Sequence, residues 1–559
     1  MSKQTPIEDT LILAVDLGTS GCKTALVDLS GRVRGWEFAP VDLHVIAGHG
    51  AEQNPEDWWR ALLTTAERLI QKSAVDPRTI AAVCCSTQGE CTVPVDEQGR
   101  ALMNAQLWMD MRGEGHIKRR ARGPISFSGY DVFKLTRWIR LTGGAPALSG
   151  KDPAGHMLFI KEEFPEVYQR TYKFLGALDF LNLRLTGRFV ATRDSILTSW
   201  VTDNRRPNDI RYDDALIQMS GIAREKFPDI VACTDVIGRV LPEVATQLGL
   251  SPETRVVAGA IDTTAAAIGS GAIADKEAHL YIGTSSWIAA HVPRKKTDVI
   301  SSMASVPCAL PDKYLMIATQ TTAGGNLSYL KERILYHQDE LLQEQGVPDV
   351  YKILDRIAAR TPAGSRGLIY MPWLYGERCP VDDGSLRAGL FNLSLEHSRE
   401  DMIRAFLEGV ALNTRWMLKP VERFLGRKLE TITIAGGGGA SDIWCEIFAD
   451  VLGVTIRQLD QPVQANAIGS TGIAGVGLGL IDFSELSART RYRRHYEPHP
   501  RRAQVYDRSF ETYTELHRRL QPLYKKLNPK LAHHAPTTEN ACEPEAQVPA
   551  GAQPLEPKA

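Results

Sequence analysis

The chain has 559 residues, of which 43% are hydrophobic and 23% charged, which is ordinary for a folded enzyme and too apolar for a disordered scaffold. Its 65 Lys and Arg residues nearly balance 66 Asp and Glu residues. This balance argues against partners such as nucleic acid or a membrane surface, and favours a small-molecule substrate. Because the length exceeds what one hydrophobic core usually holds, we expect two large domains with a cleft between them.

The cysteines and the hydropathy of the chain indicate the cellular compartment. The nine cysteines are an odd number and form no Cys-x-x-Cys pair, and Cys84-Cys85 lies inside an apolar run. We therefore expect reduced thiols and a cytoplasmic protein. Residues 1–9 form a polar tail, and the longest apolar stretch, Ile468 to Ile481, is too short and glycine-rich to span a bilayer.

The first strong pattern along the chain is a strand, a glycine-rich turn and a second strand. Leu11 to Asp16 is apolar and ends in an acid, and Thr24 to Val27 is apolar again. This order predicts an antiparallel meander, not the strand-then-helix start of a dinucleotide-binding fold.

A helix is predicted to begin at Asn54-Pro55-Glu56-Asp57, since a capping Asn, a Pro in the first turn and two early acids mark a helix start. Trp58, Leu62, Ala66 and Leu69 share one face. We expect this face to pack over the first sheet.

Three more strands end in residues of functional character, namely Arg255 to Asp262, His279 to Thr284 and Thr431 to Ala435. The turns at Asp16–Ser20 and Tyr281–Ser286 resemble each other and each heads one half of the chain. This similarity hints at a duplicated architecture. Residues 529–559 are rich in Pro, Ala, Glu and Gln, and we predict that they are disordered.

The turn after the first strand has the composition of a phosphate site. Gly18-Thr19-Ser20-Gly21 offers backbone N–H groups with few side chains in the way, and Lys23 adds a positive charge. Asp16 is placed to hold a hydrated Mg²⁺, which takes one carboxylate readily. By itself this pattern fits an ordinary hairpin turn nearly as well.

Further small-residue turns could approach a nucleotide through bare backbone. They contain Gly283 and Thr284, then Gly324 and Asn326, then Gly436, Gly437 and Gly438. Four successive glycines cost conformational entropy, so a flat ligand passing over them explains them better than chance. Ser441 could cap the helix that follows.

Several motifs occur together and in a fixed order. They are Asp16-Leu17-Gly18-Thr19-Ser20, Leu107 to Arg112, Asp179 to Gly187, Gly259-Ala260-Ile261-Asp262, Gly283-Thr284-Ser285, Gly376 to Pro380, Glu408 to Ala411 and Gly436-Gly437-Gly438. In this order the chain resembles the FGGY carbohydrate kinases from Leu11 to about Leu520. The resemblance implies an α/β fold of two ribonuclease-H-like domains of the actin and Hsp70 ATPase type. It also implies a central ATP cleft between an N-terminal domain over residues 10–268, which binds the sugar, and a C-terminal domain over residues 269–528, which binds the nucleotide.

The resemblance also implies roles for single residues. Asp262 would take the proton from the sugar hydroxyl, although a simple helix cap is the alternative explanation for it. Asp16 would serve Mg²⁺, and Thr19, Ser20 and Thr284 would bind phosphates. The nucleotide wall would contain Gly324, Gly436, Gly437 and Ser441.

The acceptor loop departs from well-known members of the family. Xylulokinases carry Gln-Met-His-Gly where this chain has Gln88-Gly89-Glu90-Cys91, and Asn where it has Thr263. Glycerol kinases carry Gln-Arg-Glu in this loop, so Glu90 keeps an acceptor for two hydroxyls while Gly89 leaves space. Trp108 and Asp110 lie where family members wall the sugar.

We therefore expect an ATP- and Mg²⁺-dependent kinase that acts on a terminal hydroxyl of a pentulose of the xylulose or ribulose type, or a related open-chain sugar. A polyol kinase of the glycerol, erythritol or ribitol type is the alternative. An actin-like or Hsp70-like ATPase module that serves a protein partner is the non-enzyme alternative, since fold alone does not fix function. A homodimer is compatible with the sequence.

Overall fold

The computed structural model describes residues 8–46, 49–335 and 349–528. The predicted tail at 529–559 lies outside these residues, as does the tail at 1–9 except for Glu8 and Asp9.

The first half of the chain builds a mixed six-stranded sheet. Its strands are β1 Leu11–Gly18, β2 Gly21–Asp28, β3 Val33–Pro40, β4 Ile80–Thr87, β5 Val236–Arg239 and β6 Arg255–Ile261, in the spatial order β5-β6-β4-β1-β2-β3. The predicted meander is confirmed, because β1, β2 and β3 pair antiparallel in sequence order. β4 and β6 then add to the sheet in parallel with β1.

The second half repeats this plan with eight strands. They are β7 Ala278–Ile282, β8 Ser286–Val292, β9 Thr297–Asp298, β10 Met303–Pro307, β11 Tyr314–Gln320, β12 Thr431–Ala435, β13 Thr455–Leu459 and β14 Tyr492–Tyr496, in the order β9-β10-β11-β8-β7-β12-β13-β14. The central run β11-β8-β7-β12-β13 has the same order and strand directions as β3-β2-β1-β4-β6. The structure therefore contains the internal duplication that the two similar turns predicted.

Helix α1, Pro55–Lys72, begins as predicted. Asn54 is its N-cap and accepts a hydrogen bond from the Glu56 N–H. The apolar face formed by Trp58, Leu62, Ala66 and Leu69 is buried against the first sheet, as the spacing indicated.

Two helices from distant parts of the chain cross between the sheets. They are α2, Asp262–Gly269, and α4, Ala465–Gly477; between them in sequence lies the long helix α3, Arg399–Leu425. A Cβ atom on Gly269 would lie 1.8 Å from the Ala465 carbonyl oxygen, and one on Gly469 would lie 1.9 Å from the Ala265 oxygen. The two backbones touch, so only glycine fits at either position. Although α4 belongs to the late part of the chain, it packs on β1, β4 and β6 of the first sheet.

The remaining helices of four residues or more cover the two sheets and build a lobe beside the first sheet. They are Glu114–Ala121, Val132–Leu141, Pro153–Glu163, Pro165–Arg170, Ala177–Thr186, Asp214–Ser220, Pro242–Leu248, Gly324–Tyr329, Val350–Arg360, Asp442–Leu452, Phe483–Arg489 and Pro500–Leu527, with a π-helical turn at Leu330–Ile334 and a 3₁₀ turn at Gly437–Ala440. Within the described ranges, no helix has the length and apolar character needed to cross a membrane.

Candidate active site

Three adjacent strands of the first sheet deliver polar residues to one edge. Asp16 on β1 lies opposite Ser86 on β4, and Ile261 at the end of β6 lies opposite Thr87. Asp262 follows at once as the first residue of α2, and the Gln88 N–H donates to the Leu17 carbonyl at 2.7 Å. Ligands of open α/β sheets gather at such carboxyl ends.

Asp16 is held from both halves of the chain. One carboxylate oxygen accepts from Ser86 Oγ at 3.2 Å and from Asn466 Nδ2 at 3.0 Å, and the other faces Lys23 Nζ at 3.4 Å. The Asp16 side chain is still 12% exposed. It is thus fixed in direction and remains open to a ligand.

Asp262 has the properties of a proton acceptor. Burial, together with the negative charges of Asp16 and Glu90, raises the pKa of Asp262 to about 7. The Thr263 N–H donates to its Oδ1 at 2.6 Å, which fixes the carboxylate rotamer. The buried Thr263 hydroxyl has no hydrogen-bond partner among the described residues, so it is free to meet a bound molecule.

A chain of hydrogen bonds fixes the predicted phosphate turn. Thr19 Oγ1 donates to Gln88 Oε1 at 2.7 Å and accepts from Trp108 Nε1 at 3.1 Å. Gln53 Nε2 donates to the Thr19 carbonyl, and Gln53 Oε1 accepts from Gln88 Nε2 and from Trp58 Nε1, each at 2.9 Å. Trp108 and Gln88 therefore join the acceptor side to the phosphate turn.

Replacing Gln53 with Ala should destabilise the protein by about 1–3 kcal/mol, because two buried donors would lose their acceptor. Nucleotide affinity should fall as well, since the Thr19 carbonyl would lose its hydrogen bond from Gln53 Nε2. Denaturant unfolding and ADP titration measure the two effects. The exposed residue Gln98 supplies the control, and equal behaviour of Gln53→Ala and Gln98→Ala would contradict the prediction.

The acceptor loop packs directly on the residue before the candidate base. The position of a Cβ on Gly89 lies 3.7 Å from Ile261 Cδ1, an ordinary contact, so the loop and the start of α2 adjoin. Glu90 has a positive φ of 56°, which a residue with a side chain rarely adopts. Such strain persists where the surrounding structure imposes it, often at a ligand site.

The Asp110 side chain has its partners within the protein. Its carboxylate is completely buried and accepts from the Ala51 N–H at 3.0 Å and from the Arg112 guanidinium. These contacts hold the loop that carries Trp108, and a contact of Asp110 with the acceptor stays a prediction. A motif match gave its place in the chain and not the direction of its side chain.

The glycine turns of the second sheet lie at matching strand ends. Tyr281 on β7 pairs with Ala435 on β12, so the turn at Gly283-Thr284 and the turn that begins at Gly436 are neighbours. The Gly283 and Thr284 carbonyls accept from the N–H groups of Gly324 and Ala323. A Cβ on Gly324 would lie 2.5 Å from the Gly283 oxygen, so these two turns touch through their backbones.

The glycines at 436–438 serve two purposes. A Cβ on Gly436 would lie 2.6 Å from the Ile282 oxygen, and one on Gly438 would lie 2.3 Å from Ile282 Cγ2. A Cβ on Gly437 would meet nothing within 4 Å. The outer two glycines thus allow close packing on β7, and Gly437 presents bare backbone to open space.

Other predicted nucleotide residues have protein partners. The Asn326 side chain is buried, donates to the Ala323 carbonyl and accepts from Tyr370, so it orders its turn, and its contact with ATP stays a prediction. Ser441 caps Asp442–Leu452 by accepting from the Trp444 N–H, and donates to Asp355.

The phosphate turn itself is a tight hairpin link. Gly18 and Gly21 are paired across it, Ser20 is exposed, and Lys23 Nζ donates to the Val463 carbonyl at 2.9 Å. Lys23 therefore bridges the two halves of the chain beside Asp16.

Several residues at the site were not predicted from the sequence. Gln53 and Asn466 carry no motif, and each reaches the site only through packing of distant segments. Of these residues, only Asn466 had a feature in the sequence that could have indicated it, since it is a polar residue at the start of a helix of small residues.

The chain is similar to known proteins along most of its length. Residues 11–269 match the model of the FGGY family of carbohydrate kinases, N-terminal domain, and residues 278–478 match that of the C-terminal domain. Xylulose kinase of Bacillus subtilis is 28% identical over 524 residues, which are 93% of this chain and 98% of the relative; gluconokinase of the same organism is 26% identical over 519 residues, 92% and 97%. A ligand-bound xylulose kinase from Lactobacillus acidophilus superposes with a TM-score of 0.78 at 25% identity, over 93% of this chain and 100% of the other. The predicted two-domain α/β architecture of the actin and Hsp70 ATPase type is confirmed, and the chain belongs to the FGGY family of carbohydrate kinases.

Proposed function

We propose that this carbohydrate kinase transfers the γ-phosphoryl group of ATP to a terminal hydroxyl of a pentulose of the xylulose or ribulose type, or of a related open-chain sugar. The observation that carries the proposal is the position of Asp262 after the end of β6, next to the acceptor loop and at the same end of the sheet as Asp16. Xylulose kinases among its relatives support the pentulose as the first acceptor to test.

Asp262 is proposed as the base. Its carboxylate would accept the proton of the attacking hydroxyl as the oxygen–phosphorus bond forms and ADP leaves. Since phosphoryl transfer depends mostly on positioning and charge neutralisation, one well-placed carboxylate is sufficient. Glu90 and the free Thr263 hydroxyl would hold neighbouring hydroxyls of the sugar.

Asp16 is the residue that fits a magnesium ion. Within the described residues no three His, Cys, Asp or Glu side chains cluster as a metal cage. Mg²⁺ in nucleotide enzymes commonly uses one or two carboxylates and takes its other ligands from phosphates and water, so a single oriented Asp16 suits it. When bound, the ion would offset negative charge on the phosphates.

The nucleotide would lie on the turns of the second sheet. Gly18, Thr19, Ser20 and Lys23 would face its phosphates from one side, with Gly283, Thr284 and Gly324 on the other. The bare backbone of Gly437, between the packing glycines Gly436 and Gly438, offers a surface for the flat part of the nucleoside, and Ser441 borders it.

The polyol kinase and the ATPase module are separated from this proposal by one experiment. ADP formation would be measured with a panel of ketopentoses, ketohexoses, glycerol, erythritol and ribitol. We expect a ketopentose to give the highest kcat/KM. A higher kcat/KM for a polyol would replace the pentulose by a polyol as the proposed acceptor. If a protein partner stimulates ADP formation and no sugar or polyol does, the proposed kinase reaction is overturned.

The decline of kcat/KM on the acid side of the pH profile should reflect protonation of Asp262. A base must be deprotonated to act, and the pKa of this carboxyl is raised to about 7. We therefore expect kcat/KM for the acceptor to decline as the pH falls below about 7, tenfold per pH unit well below it. Steady-state rates between pH 5 and 9 check this, and a profile that stays flat down to pH 5 would contradict it.

We further propose that the protein works in the cytoplasm, where the eight buried free thiols of the described residues would stay reduced. The homodimer stays a prediction, to be tested by light scattering.

A further inference from the structure

We infer that Asp194 is a positioning residue for the proposed base, because its carboxylate holds the turn from β6 into α2 and so sets where Asp262 lies. The inference rests on the proposed function, in which Asp262 takes up the proton of the acceptor hydroxyl. Asp194 acts through Asp262 and not on the substrate itself.

The helix that carries Asp262 begins without a cap from its own N-cap residue. That residue is Ile261, whose apolar side chain accepts no hydrogen bond from the first turn. In a capping box, a Glu or Gln side chain at the third helical position accepts from the N–H of the N-cap residue. This position is Thr264 here, and the Ile261 N–H donates instead to Asp194 Oδ2 at 3.0 Å, across 67 residues of sequence. Asp194 therefore supplies from a distant segment a contact that a capping box makes within its own helix.

Strand β6 is irregular just before the base. Its pairing with β4 shifts register between Val257 and Ala260, and Gly259 inside this bulge has a φ of 76°. A Cβ on Gly259 would lie 2.0 Å from the Cys85 carbonyl oxygen, so only glycine fits there. The Gly259 N–H donates to the Cys233 carbonyl at 3.0 Å. A bulge beside a site changes where the following side chains point, so contacts from outside the sheet direct this end of β6.

Asp194 is itself held firmly and is only 2% exposed. It follows the short strand Val190–Thr192, which pairs in parallel with Asp229–Val231. Its second oxygen, Oδ1, accepts from Thr192 Oγ1 at 2.6 Å and from the thiol of Cys233, which follows the partner strand, at 3.4 Å. Burying a carboxylate is costly unless hydrogen bonds compensate for the lost water, so packing alone does not explain an aspartate at this position.

One residue separates the atom that Asp194 holds from the proposed base. Asp262 follows Ile261 directly, so a shift of the Ile261 N–H moves the backbone of Asp262. The bond from the Thr263 N–H to Asp262 cannot correct such a shift, because both residues belong to the helix that moves. A misplacement of about 1 Å can cost about 10²-fold in rate. Loss of the Asp194 carboxylate should therefore lower kcat although no group that touches the substrate is removed.

The test is a double-mutant cycle between Asp194 and Asp262. ADP formation would be measured with ATP and D-xylulose, or with the acceptor of the panel that replaces it, for Asp194→Ala, Asp194→Asn, Asp262→Asn and the double variant Asp194→Ala with Asp262→Asn. We expect Asp194→Ala to lower kcat by about 10–10²-fold. KM for ATP should change less than about threefold, because no contact with the nucleotide is removed. Asp194→Asn keeps an oxygen for the Ile261 N–H and should retain kcat within about threefold of the wild type.

The double variant distinguishes positioning from a general structural role. Once residue 262 can no longer take up a proton, its exact position matters little. Asp194→Ala should therefore lower kcat by less than about threefold in the Asp262→Asn background, whereas independent sites give the same factor in both backgrounds.

Asp450→Ala is the matched control. Asp450 is 1% exposed and accepts from the His499 N–H at 2.6 Å, but it lies in the helix Asp442–Leu452 of the second half. Asp450→Ala should lower the midpoint of denaturant unfolding, as Asp194→Ala does, and keep kcat within about threefold of the wild type.

Thr192→Val is the second variant if Asp194→Ala does not fold. It replaces the hydroxyl that donates to Asp194 Oδ1 with a methyl group and keeps a β-branched side chain on its strand. Its kcat should fall by about threefold or more, since Asp194 would lose one of the contacts that fix it. This loss should also be absent from the Asp262→Asn background.

Two failures are distinguishable. The positioning role is overturned if kcat is unchanged in Asp194→Ala, if it falls equally in both backgrounds, or if Asp194→Asn or Asp450→Ala loses as much as Asp194→Ala. Each of these results leaves the kinase reaction in place. If Asp262→Asn turns over like the wild type, or if no acceptor of the panel stimulates ADP formation, the proposed function itself fails.

Discussion

Asp262→Asn is expected to lower kcat by about 10²–10⁴ while leaving nucleotide binding nearly unchanged, because general base catalysis typically contributes a factor of this size. Asparagine keeps the shape of the side chain and the oxygen that accepts from the Thr263 N–H at 2.6 Å. It cannot take up a proton at neutral pH. The measurement is sugar-dependent ADP formation, with ADP affinity from calorimetry.

Asp482→Asn is a matched control, since Asp482 is also an acid at a helix start but is exposed. Exchange of Asp for Asn at an N-cap is nearly neutral. The residual activity of Asp262→Asn should also lose the acid limb near pH 7. Turnover near that of the wild type would remove Asp262 from the role of base.

Gly269→Ala is expected to cost more than about 3 kcal/mol of folding free energy and to abolish most activity. The new methyl group would lie 1.8 Å from the Ala465 carbonyl oxygen and 2.8 Å from the Gly469 nitrogen, and both are backbone atoms that cannot rotate away. The helices α2 and α4 would have to separate, which is overpacking at the severe end of its range. Asp262 and Asn466, which begin these helices, would move with them.

Gly115→Ala supplies the control, since Gly115 is also helical but its added Cβ would meet only the Arg119 side chain at 3.5 Å. That change should leave stability unchanged or raise it by up to about 1 kcal/mol, because Ala favours the helix. The measurements are the free energy of unfolding in denaturant and kcat, for both variants. A Gly269→Ala protein as stable and active as Gly115→Ala would show that the crossing tolerates separation.

Much of the fold could be predicted because its signals are local. The meander after Leu11, the cap at Asn54 and the strands before Asp262 and Gly436 follow from hydrophobic period and turn residues. The placement of α4 on the first sheet could not be predicted, because its packing depends on contacts with strands some 200 to 450 residues earlier in the chain.

Short motifs indicated Asp16, Thr19 and Asp262, and the structure brings their segments together at one end of the first sheet. A motif gives a place in the chain and not the direction of a side chain, and the side chains of Asp110 and Asn326 are hydrogen-bonded within the protein. Gln53 was missed because a single polar residue outside a motif gives no signal until the fold brings it beside its partners.

The crossing of α2 and α4 has a consequence for which substitutions this kinase can accept. Asp262 and Asn466 lie in the first turns of the two helices that touch, so the proposed base lies beside the contact between the two helices. A domain rotation about this contact would move residues at the rim of the cleft further than Asp262. Substitutions at the rim can therefore alter which acceptor is admitted while the geometry of phosphoryl transfer stays as it is.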